Sequence, residues 1–160
     1  MTDRDEMLTL DDAGLSALCR ISFGYGTGPG GQKRNKTSTA VRVELPGTDF
    51  VATDCTERSQ HRNRANALRK LRISVALHWR KHPAETPAAW PHTALENPGY
   101  PLLLAQLFDL LEETGFDHRA AAEKLGVSPT MVIRRLARDP AAWQLFAAER
   151  EKRNLPALRH

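Results

Sequence analysis

Five prolines between positions 83 and 101 constrain what this chain can fold into more than any other feature. Pro83, Pro87, Pro91, Pro98 and Pro101 are half of its ten prolines. Each removes a backbone donor and locks φ near about −65°, so neither a helix nor a strand passes through that spacing. Residues 82–101 therefore read as a semi-rigid linker, able to span roughly 60 Å at about 3.1 Å per residue when extended. Trp90 and Tyr100 are placed to pin parts of it. The 160 residues divide into two small domains, 1–81 and 102–160.

Before the linker the pattern is mixed. "LTLDDAGLSALC" suggests a short strand and then a helix capped by Asp11 or Asp12. "RISFGYG" predicts a strand. In "TSTAVRVEL", Val41, Val43 and Leu45 alternate with Ala40, Arg42 and Glu44, as in a half-buried strand. "PGTD" is a turn and "FVATDC" the returning strand. "TERSQHRNRANALRKLRISVALHWR" predicts a long helix entered at Thr56, with Ser59 as the alternative cap. Leu68, Leu71, Val75 and Trp79 share one of its faces. Arg58, Arg62, Arg69, Arg72 and Arg80 lie within an arc of about 80° on another.

After the linker every signal is helical. "LLLAQLFDLLEETG" is an amphipathic helix ended by Gly115. Asp117 caps a short helix, Gly126 makes a turn, Ser128 caps the next helix and Pro129 takes its first position. That is the grammar of a helix-turn-helix. A last helix follows Pro140 and carries Trp143, Phe146 and Arg150. The expected fold class is α+β: a small sheet with a packed long helix and a protruding Gly-rich loop, followed by an all-α module.

Charge narrows the function classes. The net charge of +4 is segregated: residues 1–19 carry −4, residues 20–81 carry +9 and residues 82–160 carry −1. A field concentrated in this way implies a polyanionic partner such as nucleic acid. The acidic start, with Asp3, Asp5, Glu6, Asp11 and Asp12 against Arg4, speaks against a secretory signal or an Arg-rich transit peptide. No apolar run reaches the roughly 20 residues of a membrane span. Cys19 and Cys55 have no metal-ligand spacing and read as free thiols of a reducing cytoplasm. No metal and no cofactor are expected.

"GTGPGGQKRNKTSTAV", from Gly26 to Val41, holds four glycines in its first six residues. It matches G-x-G-x-x-G, but the continuation is polar and leads into a strand, which argues against a dinucleotide site. A phosphate-binding P-loop would need Lys directly after Gly31, where Gln32 stands. A plain flexible hairpin leaves the dense cations that follow unexplained. In this setting Gly30, Gly31 and Gln32 resemble the peptidyl-tRNA hydrolysis motif of class I peptide chain release factors. "GTGPGGQKRNKTSTAVRV" is similar to that family's loop, with Asn35, Lys36 and Thr37 before the strand. "CTERSQHRNRANAL" is similar to the start of its long helix, with Arg58, Ser59, Gln60 and Asn63 in the family's order. The resemblance covers roughly residues 8–80.

The resemblance implies a function. Full release factors carry a codon-reading domain ahead of this one, and here only about twenty residues precede the loop. The implied relatives are stand-alone hydrolases that rescue stalled ribosomes in the cytoplasm. The implied partners are the large-subunit peptidyl-transferase centre, ribosomal RNA and peptidyl-tRNA, with a methyltransferase acting on Gln32 as a further one. The implied catalytic residues are Gly30, Gly31 and Gln32. Lys33, Arg34, Asn35 and Lys36 are candidate RNA contacts in the loop, and Arg58, Arg62, Arg69 and Arg72 on the helix. Thr37, Ser59 and Gln60 are candidate loop supports, and His61 reads as a surface residue. Rescue hydrolases usually end in a basic tail. Here residues 141–160 hold four bases, Arg150, Lys152, Arg153 and Arg159, and two acids, with the helix-turn-helix segment in the tail's place. Its second helix offers Thr130, Arg134, Arg135 and Arg138 to a nucleic acid. The alternative function is a nucleic-acid-binding regulator built on that segment, with the loop catalytically silent.

Overall fold

The computed structural model describes residues 2–24, 39–82 and 93–160. They divide into two units, Met1–Val75 and Ala76–His160.

The first unit opens with two short helices, α1 (Arg4–Thr9) and α2 (Asp12–Leu18). Where the start of "LTLDDAGLSALC" suggests a short strand, the chain is helical or turning. Asp3 caps α1 through the backbone N–H of Asp5 at 2.9 Å, and Asp5 and Glu6 place negative charge at the positive end of the helix dipole. Adjacent Met7 and Leu8 are both buried, which a strand with one wet face does not do. Asp11 caps α2, accepting from the N–H of Gly14 at 2.7 Å.

Three strands follow: β1 (Arg20–Gly24), β2 (Ala40–Glu44) and β3 (Val51–Asp54). They form one antiparallel sheet in the order β1-β2-β3. β1 pairs from Arg20↔Glu44 to Gly24↔Ala40, and β2 with β3 from Val41↔Asp54 to Glu44↔Val51. Val41, Val43 and Leu45 point inward as their alternation requires. The β2–β3 turn contains Gly47 at φ 77°, a conformation glycine adopts without strain. Beside it Thr48 bonds back to the carbonyl of Leu45 at 2.8 Å.

Helix α3 (Gln60–His78) completes the unit. Its entry is at Ser59, whose hydroxyl accepts from the N–H of Arg62 at 3.3 Å. Thr56 is not the cap: its N–H and hydroxyl both bond Asp54, at 3.1 and 2.8 Å, and hold the turn before the helix. Ala67, Leu68, Leu71 and Val75 are fully buried on one face and build the core with Met7, Leu8, Leu15 and the inward valines.

The second unit takes the last residues of α3 together with α4 (Tyr100–Glu113), α5 (His118–Leu125), α6 (Pro129–Ala137) and α7 (Pro140–Lys152). Residues beyond α3 are tied to α4. The Arg80 guanidinium lies 4.9 Å over the Phe108 ring, and the Lys81 N–H donates to Asp109 at 2.9 Å. The residues just ahead of the linker segment are therefore anchored, and its end is helical from Tyr100, with Pro101 in the first turn where its missing N–H costs nothing. The prolines from Pro83 to Pro91, and Trp90, lie outside the described residues.

The caps read from the sequence are present. Asp117 accepts from Arg119 at 2.9 Å, Gly126 sits at φ 65°, and Ser128 accepts from Met131 at 3.2 Å. Gly115 and Phe116 follow α4 with φ of 62° and 60°. A bulky aromatic in that region is strained. Phe116 is held there by complete burial, by Phe108 edge-on at 6.2 Å and by Arg150, whose Nη1 donates to its carbonyl at 2.7 Å.

Candidate release-factor-like site

Gly24 and Ala40 are paired residues at one end of the β1–β2 ladder. The intervening chain, which carries Gly30, Gly31 and Gln32, leaves and returns at the same end of the sheet. Those three residues, together with Lys33, Arg34, Asn35, Lys36 and Thr37, lie outside the described residues. What the structure defines is the frame on which they are mounted.

The returning side of that frame is clamped by Asn63, a residue of the resembling helix block that no role was assigned from sequence. Asn63 is completely buried. Its Nδ2 donates to the Thr39 carbonyl at 2.7 Å and to the Glu57 carbonyl at 3.0 Å, and its Oδ1 accepts from the Glu57 N–H at 2.9 Å. One side chain thus joins the base of the loop, the turn after β3 and the first turn of α3. A polar residue at a position that is four before Ala67 and eight before Leu71 on the buried helical face is the signal that marks it.

A second tie fixes α3 to β3. Asp54 is buried and accepts from Lys70 at 2.6 Å, from both donors of Thr56 and from Asn66 at 3.5 Å. Burial would raise its pKa, but the hydrogen bond from Lys70, then those from Thr56 and Asn66, outweigh it and hold the carboxyl at about 2. Lys70 also donates to the Thr53 carbonyl at 3.3 Å. These bonds join α3 to β3 and to the turn that follows it.

The arginine stripe separates into two kinds. Arg58, Arg62 and Arg69 are exposed; Arg62 faces Glu57 at 3.8 Å with its side chain 73% accessible, too open a pair to neutralise it. Arg72 is different. Its side chain is 12% accessible, Nη1 bonds Asp12 at 2.7 Å and Nη2 the Leu10 carbonyl at 3.0 Å. It fastens the acidic N-terminal segment to α3 and is not displayed. Ser59 caps α3, and Gln60 and His61 are exposed at its first turn. Cys19 and Cys55 are free thiols; burial raises the Cys19 pKa, against a smaller lowering by Arg72.

In the second unit, Thr130, Arg134 and Arg138 are exposed on α6 and Arg135 is half-buried. The C-terminal bases are largely committed to the fold. Arg150 is 6% exposed and bonds the carbonyls of Phe116 and Pro156. Arg153 pairs with Glu149 and Glu112 and lies 4.4 Å over the Phe116 ring. Among the described residues no cluster of His, Cys, Asp and Glu could hold a metal ion. No described helix is long and apolar enough to cross a membrane.

Comparison with known proteins places this frame. Residues 16–94 match the RF-1 domain. Peptide chain release factor 1 of Syntrophomonas wolfei is 49% identical over 56 residues, 35% of this chain and 16% of the relative. Peptide chain release factor 1 of Leptothrix cholodnii is 40% identical over 87 residues, 54% of this chain and 23% of the relative. Peptide chain release factor 2 of Campylobacter hominis is 36% identical over 70 residues, 44% of this chain and 18% of the relative. The chain thus spans less than a quarter of the length of these relatives. The regulator alternative draws no support from them. No solved structure matches significantly. Through residues 16–94, with their antiparallel frame and the helix that clamps it, the chain belongs to the family of the RF-1 domain, the class I release factor catalytic domain.

Proposed function

We propose that this chain is a ribosome-dependent peptidyl-tRNA hydrolase that releases nascent peptides from stalled ribosomes without reading a codon. The observation that carries the reading is the pairing of Gly24 with Ala40 within a matched RF-1 domain. It mounts Gly30, Gly31 and Gln32 between two strand ends, the return of which Asn63 clamps.

The reaction is hydrolysis of the ester between the peptide and the terminal ribose of tRNA. Water attacks, and negative charge develops on the carbonyl oxygen and then on the departing ribose oxygen. Gly30 and Gly31 have no Cβ, so the backbone is free to take positive φ and to approach the ester closely. The backbone N–H of Gln32 stabilises the developing oxyanion, and its side chain positions or excludes water. An amide has no titrating group near neutral pH, so Gln32 is not a general base. Rate comes from positioning and transition-state hydrogen bonding within a site the ribosome completes.

Lys33, Arg34, Asn35 and Lys36 contact the RNA through which the loop is threaded. The exposed Arg58, just ahead of α3, and Arg62 and Arg69 on it extend that contact, whereas the ties of Arg72 to Asp12 and Leu10 hold it within the fold. Thr37 and Gln60 brace the loop, and Gln32 is the residue on which a methyltransferase would act. Beyond the matched residues 16–94 the chain carries the helices α4 to α7. The site of action is cytoplasmic, with the translation machinery.

The test uses purified ribosomes stalled on a truncated message. Wild-type protein should release the peptide, and Gln32→Pro, which deletes the N–H donor, should lower the single-turnover rate by about 10²–10³-fold. Equal rates, or no release by wild type, would overturn the proposal.

A further inference from the structure

The last turn of α7 hides a cation that no acid answers. Arg150 is 6% exposed. Its Nη1 donates to the Phe116 carbonyl at 2.7 Å and its Nη2 to the Pro156 carbonyl at 3.0 Å. Its Nε is out of reach of solvent and has no hydrogen-bond partner among the described residues. Arg150 makes no ion pair among those residues either. Two neutral carbonyls thus share a group with five donors, and its charge faces only the Phe146 ring, 5.5 Å from Cζ. Burial lowers the Arg150 pKa, against a smaller rise from the charge of Asp117, yet a guanidinium stays charged at neutral pH. A buried charge without a counter-ion is costly, and a ligand that supplies one removes that cost.

The same side chain lines a cavity of about 830 Å³, within the range of about 300–1,000 Å³ that suits a small organic ligand. Trp143, Phe146 and Ala147 form its wall on α7, and Leu155 and Leu158 the wall opposite. That second wall is a strap. Asn154, at φ 55°, turns the chain after α7. The Leu155 N–H donates to the Arg150 carbonyl at 3.0 Å, and the His160 ring stacks on Trp143 at 4.6 Å. Among the described residues, the backbone between those two points is tied only by the Pro156 carbonyl, to Arg150. The strap is therefore held at its ends and, between them, by the guanidinium itself.

We infer that this cavity binds a small amphipathic carboxylate, its acidic head on Arg150 and its apolar body between α7 and the strap. Nε and Nη2 form one edge of the guanidinium, and a carboxylate spans such an edge with two parallel hydrogen bonds. The head fills the donor that solvent does not reach and shares the two hydrogens of Nη2 with Pro156. To reach that edge it displaces the middle of the strap, where one hydrogen bond holds the backbone. The body lies against Phe146, Leu155 and Leu158, which offer it only carbon. Glu151 also lines the cavity and is exposed; its charge favours a cation, so the sign of the ligand's charge decides between the two groups. The site lies outside the matched residues 16–94 and stands independently of the hydrolase reading.

The experiment titrates the full chain at neutral pH with octanoate, 1-octanol and octylammonium, followed by proton–nitrogen correlation spectra that include the arginine Nε–H signals. Octanoate should bind with a Kd of about 0.1–1 mM and shift the Arg150 Nε–H and the amides of residues 155–160. It should bind at least about tenfold more tightly than either other probe, because it alone supplies the missing counter-ion. Ala147→Trp, at an exposed position of α7, fills the cavity and should weaken octanoate at least about tenfold. Arg150→Met should reduce octanoate to the affinity of octanol. Thermal melts verify that each variant is folded; if Arg150→Met is not, the three probes on the wild type and Ala147→Trp decide the matter. Octanol binding as tightly as octanoate overturns the charged head. Tighter binding of octylammonium gives the cavity to Glu151 and overturns the carboxylate. No shift with octanoate up to about 10 mM, or undiminished binding in folded Ala147→Trp, overturns the site.

Discussion

The side-chain amide of Asn63 donates to the carbonyl oxygen of Thr39 at 2.7 Å, across 24 residues of chain and with no exposure to solvent. The same side chain bonds the N–H and the carbonyl of Glu57. Asn63→Ala leaves all three backbone groups without their partner. It should cost about 2 kcal/mol in a urea melt, and the peptide-release rate should fall more than the affinity for ribosomes. Loss of affinity with the rate intact would mean that the clamp does not position the loop.

Asp54 supplies a pH signature. Its pKa is lowered from an ordinary 3.8 to about 2, so its contribution is fully present above pH 4 and lost as pH falls through about 2. After allowance for solvent on the Lys70 side, the effect is about 1–2 kcal/mol. Asp54→Asn should lower stability at pH 7 by that amount and flatten the stability curve between about pH 4 and 2. A curve of unchanged slope in that window would exclude Asp54 as its source.

Arg72 and Arg62 make a paired prediction, because the same residue type faces opposite tasks on one helix. Arg72→Gln should destabilise the protein by about 1–2 kcal/mol and speed hydrogen exchange in α1 and α2, since it releases Asp12 and the Leu10 carbonyl. It should leave the salt dependence of RNA binding alone. Arg62→Gln should do the opposite: little change in the melt and a slope lowered by about 1.

Arg150 is read through Phe116. With its guanidinium removed in Arg150→Met, the carbonyl of a residue held at φ 60° loses its donor. The helical unit should lose about 2–3 kcal/mol. Hydrogen exchange should quicken in α7 and around Phe116; uniform quickening across the whole protein would contradict a local role for Arg150.

Local chemistry was enough to place much of this molecule. Asp117, Gly126, Ser128 and Pro129 each have a short-range reason for their position, and the structure uses all four at the ends of α5 and α6. The alternation of Val41, Val43 and Leu45 gave the inward face of β2 for the same reason. The resemblance of the loop and helix blocks pointed to the release-factor family from the residue order alone. Where two local signals competed, the sequence misled: the start of "LTLDDAGLSALC" imitates a strand, and Thr56 imitates a cap although it serves Asp54. The candidate site was legible as motif residues and illegible as a mounting.

Residue order by itself determined the three strands, the long helix, the caps of α5 and α6, the family and the concentration of charge between residues 20 and 81, because each of these depends on neighbours in sequence. Only the tertiary structure decided which cations are displayed. Arg72 and Arg150 are indistinguishable from Arg62 and Arg134 as letters. The first two are taken up by carbonyls 62 and 34 residues away, whereas the latter two face solvent. The tertiary structure likewise made Asn63 the clamp of the loop. A buried polar group must find partners wherever the fold brings them, and that encounter is set by packing at a distance, not by the chain beside it.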